Sequence, residues 1–349
     1  MKAVNRAAIE AVLRQYTDPY LNLDLVSSGC VRAIDVNNDQ VLVKLEFGYA
    51  AGLFKSDLAQ MLQMTIEGLA GVRLAKVETR CVITSRKTQV QLHGLANVKN
   101  IIAVASCKGG VGKSTTAANL ALALDREGAC VGILDADIYG PSQGVMFGVP
   151  DGTRPKVKDQ KWFVPIKSLG IEVMSMAFLA EDSAPMIWRG PMVSSALLQL
   201  VSQTAWGDLD YLVIDMPPGT GDIQLTLAQK VPVVGLVIVT TPQDLALRDA
   251  KKSMEMFRKV NIPVLGVVEN MAVHICSSCG YAEHLFGEGG GEKLATQYSI
   301  ELLASLPLSI IIREQADSGK PIVAAEPDSQ IAMVYQELAR HVSARISMQ

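Results

Sequence analysis

The apolar run Ile101–Ala105 leads directly into Ser106-Cys107-Lys108-Gly109-Gly110-Val111-Gly112-Lys113-Ser114-Thr115, and then into a strongly helix-forming segment, Thr116–Asp125. A buried strand, a glycine-rich turn and a helix in that order leave little freedom of fold. Strand and helix must pack against each other as one arm of an α/β unit. Gly109, Gly110 and Gly112 keep Cβ atoms out of the turn, so consecutive backbone N–H groups can converge on an anion. The N-terminus of the helix aims its own free N–H groups and dipole at the same point. A polyphosphate suits that geometry. Lys113 is placed to reach β- and γ-phosphates, Ser114 to ligate Mg²⁺, and Thr115 to touch the α-phosphate. Cys107, Lys108 and Val111 complete the loop.

From Asn100 onward the pattern repeats. Short apolar runs at Val131–Leu134, Tyr211–Ile214, Val233–Val239 and Ile262–Val268, with a weaker one at Glu301–Leu306, alternate with helical segments. Nearly continuous apolar strands imply a mostly parallel sheet with helices on both faces. Trp162–Met176 reads as a hairpin-like insertion. A last helix near Gln330–Ile346 carries Ile331, Val334, Leu338, Val342 and Ile346 on one stripe.

Residues 1–84 have another character, α-β-β-α-β, and predict a small α+β domain. Ala3–Gln15 is helical, and Val41, Val43, Leu45 and Phe47 alternate with polar residues after the turn Asn37-Asn38-Asp39. Ser56 is placed to cap a helix whose face is Leu58, Met61, Leu62, Ile66 and Leu69, with Gly71 ending it. Ala75, Val77, Cys81 and Ile83 alternate again. The polar stretch 85–99 reads as a linker, which leaves 100–349 as the nucleotide domain.

Acidic residues follow two of the predicted strands. Asp135 and Asp137 stand where α/β proteins build ligand sites, at the carboxyl end of a sheet strand. A Mg-nucleotide would give both a partner, with Asp135 nearer the metal and Asp137 orienting the attacking water. Capping of the next helix is the other reading of the pair. Asp215 ends the Tyr211–Ile214 run, the position that holds Mg²⁺ through water in P-loop enzymes. The turn Pro217-Pro218-Gly219-Thr220-Gly221 beside it mixes rigid and permissive positions, as a γ-phosphate sensor would.

His274-Ile275-Cys276-Ser277-Ser278-Cys279-Gly280 places two thiols so that both can face one metal or cluster. Two ligands are too few, because zinc sites and iron–sulfur clusters usually take four. A two-fold dimer would bring four sulfurs together. Zinc on the same sulfurs or with His274 or His284, a redox disulfide, and a merely buried pair are alternatives that the residues leave open.

The run Lys108-Gly-Gly-Val-Gly-Lys113-Ser-Thr resembles the deviant phosphate loop of the MinD/Mrp/nitrogenase-iron-protein ATPases. Asp135-x-Asp137-x-Tyr139-Gly140-Pro141-Ser142 and Asp215-x-Pro-Pro-Gly-Thr-Gly-Asp222 look specifically like the Mrp/ApbC branch, and the resemblance covers about residues 95–345. It implies a homodimer in which Lys108 reaches the partner's nucleotide. It implies slow ATP hydrolysis, with Lys108, Lys113, Asp137 and Asp215 as catalytic residues and Asn270 reading the adenine. It also implies a [4Fe–4S] cluster bridged by Cys276 and Cys279 and passed to apo iron–sulfur proteins. Residues 1–84 resemble the small iron–sulfur-assembly domain often fused to this ATPase. They lack its Thr-x-x-x-Cys-Pro signature, and Gly48–Phe54 stand in that place. Cys107 likewise replaces the usual first glycine of the loop.

With 32 basic and 35 acidic side chains and no basic block, the chain does not suggest a nucleic-acid binder. No apolar run approaches the ~20 residues of a membrane span. The N-terminal stretch has no secretory pattern, so the six cysteines are expected to be thiols in a reducing cytoplasm. Two rival functions share the loop: a MinD/ParA-like positioning ATPase, which leaves the cysteine pair unexplained, and a zinc-stabilised nucleotide-binding scaffold without turnover.

Overall fold

The computed structural model describes residues 4–86, 93–179, 190–276 and 278–349. The chain divides into two compact units. One holds Met1–Thr84 with Arg126–Gly128 and Ser343–Gln349, the other Ser85–Asp125 and Ala129–Val342.

The larger unit is built on an eight-stranded sheet. Its spatial order is Ile166–Ser168, Ile171–Ser175, Val131–Asp135, Leu209–Asp215, Val98–Ala105, Gly235–Thr240, Val264–Glu269 and Glu301–Ser305. All neighbours are parallel except the first pair. Every residue of Val131–Asp135 and Gly235–Thr240 is buried. Successive side chains of a strand point to opposite faces, so both faces of the sheet are covered. Val98–Ala105 and Val131–Asp135 are separated by Leu209–Asp215, whereas Gly235–Thr240, Val264–Glu269 and Glu301–Ser305 follow one another in both sequence and sheet, and each parallel pair needs a crossover connection. The C-terminal helix spans Gln330–Ser347. Among the described residues no helix is long and apolar enough to cross a membrane.

Only the start of Trp162–Met176 stands apart from this sheet. Ile166–Ser168 and Ile171–Ser175 form an antiparallel pair, and the second strand joins the main sheet with Val173 beside Ile133 and Ser175 beside Asp135. Burial of Ile171, Val173 and Met174 holds it there. A separate small hairpin pairs Lys156–Lys158 with Trp162–Val164. Of the stretch read as a linker, residues 87–92 lie outside the described residues, while Val98 and Asn100 are buried in the strand Val98–Ala105.

The carboxyl ends of four strands are aligned. Asp215 pairs in register with Asp135 on one side and Val104 on the other, and Ser175 pairs with Asp135. Parallel register therefore brings residues from distant sequence to one edge.

The smaller unit has a three-stranded sheet. Val31–Asn37 and Gln40–Phe47 are antiparallel, and Leu74–Cys81 runs parallel to the latter. Ile9, Leu13, Val43, Phe47, Leu62 and Ile66 form its core with helices Arg6–Gln15 and Phe54–Glu67. The first helix is capped by Asn5, whose Oδ1 accepts from the Ala8 N–H at 2.9 Å; Ala3 lies outside the described residues. Ser56 is not the cap of the second helix. That helix begins at Phe54, the Ser56 hydroxyl donates to the Gly52 carbonyl, and the Leu53 N–H is taken by the Glu127 carboxylate at 3.0 Å. Helix formation stops at Glu67, ahead of Gly71. Cys30 is a buried core residue. Tyr49, within the segment that replaces the Cys-Pro signature, is fully buried and donates to buried Asp18 at 2.7 Å.

Candidate functional site

The strand Val98–Ala105 ends one residue before the glycine-rich turn, and the helix Lys113–Arg126 begins directly after it. Gly110 and Gly112 take φ of +81° and +82°, a left-handed conformation that a Cβ would strain. At Gly112 a Cβ would also collide with the Asn270 side-chain amide. That amide donates to the Val111 carbonyl at 2.9 Å, so Asn270 braces the loop from the end of the Val264–Glu269 strand. The Ser106 hydroxyl closes the start of the loop on the Lys108 carbonyl at 3.0 Å. Gly219 of the Pro-Pro-Gly-Thr-Gly turn donates to the Ser106 carbonyl at 3.0 Å, which ties the two turns together.

Lys113 is buried, and its Nζ is bonded to Asp215 Oδ1 and lies 3.2 Å from the Ser114 hydroxyl. One cation thus sits where the oxygens of Ser114 and Asp215 converge. The other Asp215 oxygen accepts from Gln143 Nε2 at 2.8 Å, and the same Nε2 donates to the Ser114 carbonyl at 3.0 Å. Thr115 is half-buried in the first turn, its carbonyl accepting from Asn119 at 2.9 Å.

Asp135 is fully buried and saturated with donors. Oδ1 accepts from the Asp137 N–H, and Oδ2 from the N–H groups of Ser142 and Gln143 and the Ser175 hydroxyl, all within 2.9–3.2 Å. Burial, and then the Asp215 carboxylate beside it, push its carboxyl well above the usual range. Its donors are those of a residue that fixes the following turn. The structure couples Asp135 to the loop through Gln143, whose backbone N–H it accepts, and through the neighbouring Asp215 carboxylate. Asp137 is nearly buried, with Oδ1 accepting from the Gly140 N–H at 3.2 Å. Cys107 packs its Sγ 2.8 Å from the Ser253 hydroxyl, and burial pushes its thiol up. Lys108, Gly109 and Gly110 are exposed.

Cys276 and Cys279 sit on a different kind of element. His274–Ile275 pairs with Ala282–Glu283, and the Cys276 N–H donates to the Tyr281 carbonyl while its carbonyl accepts from Gly280, both at 2.9 Å. Gly280, at φ +71°, makes the tight return possible. N–H groups of Cys279 and then Ser278 point at the Cys276 sulfur and pull its thiol below the ordinary range. Cys276 is half-buried and Cys279 exposed. His274 Nδ1 faces the Leu308 carbonyl at 3.2 Å and His284 Nδ1 the Ala272 carbonyl at 2.8 Å. Among the described residues no three His, Cys, Asp or Glu side chains are grouped to hold a metal ion, so neither histidine completes a site with the two sulfurs within the chain.

The structure thus brings Lys113, Ser114, Asp215 and Asn270 together at the loop, links Asp135 to them by way of Gln143 and Asp137 to Asp135, and carries Cys276 and Cys279 on a separate hairpin. Gln143, Ser175 and Ser253 join the loop network without being singled out by the sequence, for none of them belongs to a motif that spacing alone would identify.

Known proteins resemble this chain over nearly its whole length. The model of the family described as NUBPL iron-transfer P-loop NTPase matches residues 97–343, and that of an iron-sulfur cluster assembly protein matches residues 6–79. A protein of Pseudomonas fragi called iron-sulfur cluster carrier protein is 79% identical over 80% of this chain and 97% of its own length. One of the same name from Escherichia coli K12 is 47% identical over 99% of this chain and 93% of its own. A nucleotide-binding protein of Archaeoglobus fulgidus, solved in complex with ADP, superposes with a TM-score of 0.59. It is 40% identical and covers 67% of this chain and 91% of that one.

Proposed function

This chain belongs to the NUBPL iron-transfer P-loop NTPase family, and from that premise we propose that it carries an iron–sulfur cluster to apo-proteins and hydrolyses ATP in doing so. The observation that carries the proposal is the short path between its two sites. Asn270 touches the phosphate loop through Val111, and Cys276 lies on the segment that leaves Asn270. A change of nucleotide at the loop therefore acts on the base of the cysteine hairpin.

In this account the phosphate loop holds ATP, with Cys107 through Thr115 around the phosphates and Asn270 at the base. Lys113 leaves Asp215 for the β- and γ-phosphates. Asp137 orients the attacking water, and Lys108 stabilises charge on the nucleotide of a second copy. Ser114 and Asp215 fit Mg²⁺. Both offer hard oxygen ligands, and their oxygens already converge on a cation, the Lys113 ammonium. The ion, when bound, neutralises charge that develops on the phosphates.

The cargo is a [4Fe–4S] cluster held by Cys276 and Cys279 of two copies. Support comes from the lowered Cys276 thiol, the exposed hairpin and the lack of a third ligand among the described residues. The six cysteines are all free, as befits work in a reducing cytoplasm. The test is transfer from the reconstituted protein to an apo [4Fe–4S] protein with ATP or with a non-hydrolysable analogue. ATP-dependent activation of the recipient is expected. Equal transfer without nucleotide would detach the ATPase from the carrier role.

A further inference from the structure

Gln143 is fully buried in the middle of the nucleotide site, yet it belongs to none of the motifs that define that site. Its Nε2 faces two acceptors, the Asp215 carboxylate at 2.8 Å and the Ser114 carbonyl at 3.0 Å. Only the NH₂ end of an amide can satisfy both, so the chemistry assigns the two ends of the side chain. Its backbone N–H meanwhile donates to Asp135 at 2.9 Å. One residue thus ties the phosphate loop to both acids that end the neighbouring strands.

The other end of the amide is the informative one. Gln143 Oε1 is buried and has no hydrogen-bond partner among the described residues, and the adjacent Ser142 hydroxyl is in the same condition. Buried acceptors are ordinarily paired, and a lone one calls for an explanation such as an absent water or ion. Oε1 is the other end of the amide whose Nε2 meets the Asp215 carboxylate and the Ser114 carbonyl. A water polarised by a bound cation is a strong donor, and it is what Ser114 and Asp215 would bring there.

We infer that Gln143 is a positioning residue for the magnesium ion of the nucleotide complex: its Nε2 holds Asp215 and the Ser114 carbonyl in place, and its Oε1 accepts a hydrogen bond from a water in the ion's hydration shell. The inference rests on the proposal that the site binds Mg-ATP. It adds a reason why Asp215 keeps its aim when Lys113 departs. Lys113 and Gln143 hold opposite oxygens of the same carboxylate, so when the lysine leaves the amide still tethers it.

The experiment measures binding of the non-hydrolysable analogue AMPPNP to the full chain by calorimetry, in EDTA and across a magnesium titration. Gln143→Met keeps the volume and removes both hydrogen-bonding ends. The magnesium needed for half-maximal tightening should rise about tenfold, the scale of one or two hydrogen bonds to charged groups, and AMPPNP binding should weaken clearly more with magnesium than in EDTA. An unchanged magnesium requirement, or equal weakening with and without magnesium, would overturn the inference and leave Gln143 a packing residue. Should Gln143→Met fail to give a folded circular-dichroism spectrum, Gln143→Glu carries the test. It restores an acceptor but sets a second anion against Asp215, so its melting temperature should rise more steeply with magnesium than that of the unmodified protein. An identical magnesium response would overturn the inference. Magnesium-independent binding by the unmodified protein would instead sink the Mg-ATP proposal itself.

Discussion

The phosphate loop and the cysteine hairpin are joined by the few residues from Asn270 to Cys276, but they are built in opposite ways. Around the loop, Lys113, Asp135, Asp215 and Gln143 are buried and bonded to one another, and the partners come from three strand ends of one chain. The hairpin has strands of two residues and two sulfurs, and it is flanked by Ile275 and Tyr281 at 57% and 67% exposure. A site assembled from buried charge has to be preorganised, because an unpaired charge there is costly. A thiolate site at the surface tolerates being unfinished. The contrast teaches that the network around the loop is completed within one chain, whereas the hairpin offers only two sulfurs, with no third metal-binding side chain grouped beside them among the described residues.

The comparison breaks if the two sites cannot be disabled separately. Lys113→Ala has the largest expected effect. Phosphate release should fall by about a hundredfold or more, as for loss of a preorganised charge at a transition state. The apo protein should lose about 3 kcal/mol of stability, because Asp215 stays buried without its cation. Its iron content after reconstitution should be unchanged. A parallel loss of iron would show that the hairpin depends on the loop for its own integrity.

A smaller effect is expected of Gly112→Ala. The left-handed φ and the contact with Asn270 should cost about 1–3 kcal/mol and weaken nucleotide binding roughly tenfold, read by calorimetry. Cluster loading should again be retained.

The smallest effect sharpens the contrast between the cysteines. The Cys276 thiol is lowered by N–H groups aimed at its sulfur, so its thiolate persists to lower pH than that of an ordinary thiol. Cys107 is raised by burial, so its thiolate forms only at higher pH. Alkylation by iodoacetamide, followed by peptide mass spectrometry across pH 6–9, should label Cys276 several-fold faster at the acid end of that range. The gap should narrow as pH rises. Equal rates at the acid end would remove the hairpin's claim to be a prepared ligand site.

Much of the nucleotide fold is legible because its chemistry is local in sequence. Gly109 through Thr115 are consecutive, and buried parallel strands announce themselves as apolar runs. Pairings set by strand order are not legible. Gln143 meets Ser114 and Asp215 only because Val131–Asp135 lies next to Leu209–Asp215, which in turn lies next to Val98–Ala105. Ile166–Ser175 misleads for a related reason, since a hairpin has the same alternation whether it stands alone or extends a sheet. Ser56 has the chemistry of a cap, but Glu127 takes the Leu53 N–H from a distant part of the chain. The cysteine spacing is plain in the sequence, as is its incompleteness. The element that carries it, a surface hairpin held by Tyr281 and Gly280, becomes visible only in three dimensions.

The central claim is that the hairpin is half of a cluster site. Its most direct test is anaerobic reconstitution with iron and sulfide, followed by size-exclusion chromatography with iron and protein quantified across the peak. The account predicts a coloured dimer with about four irons per two chains, and a colourless, iron-free Cys276→Ala/Cys279→Ala variant that still binds ATP. A full cluster on a monomer, or iron retained by the double variant, would contradict it.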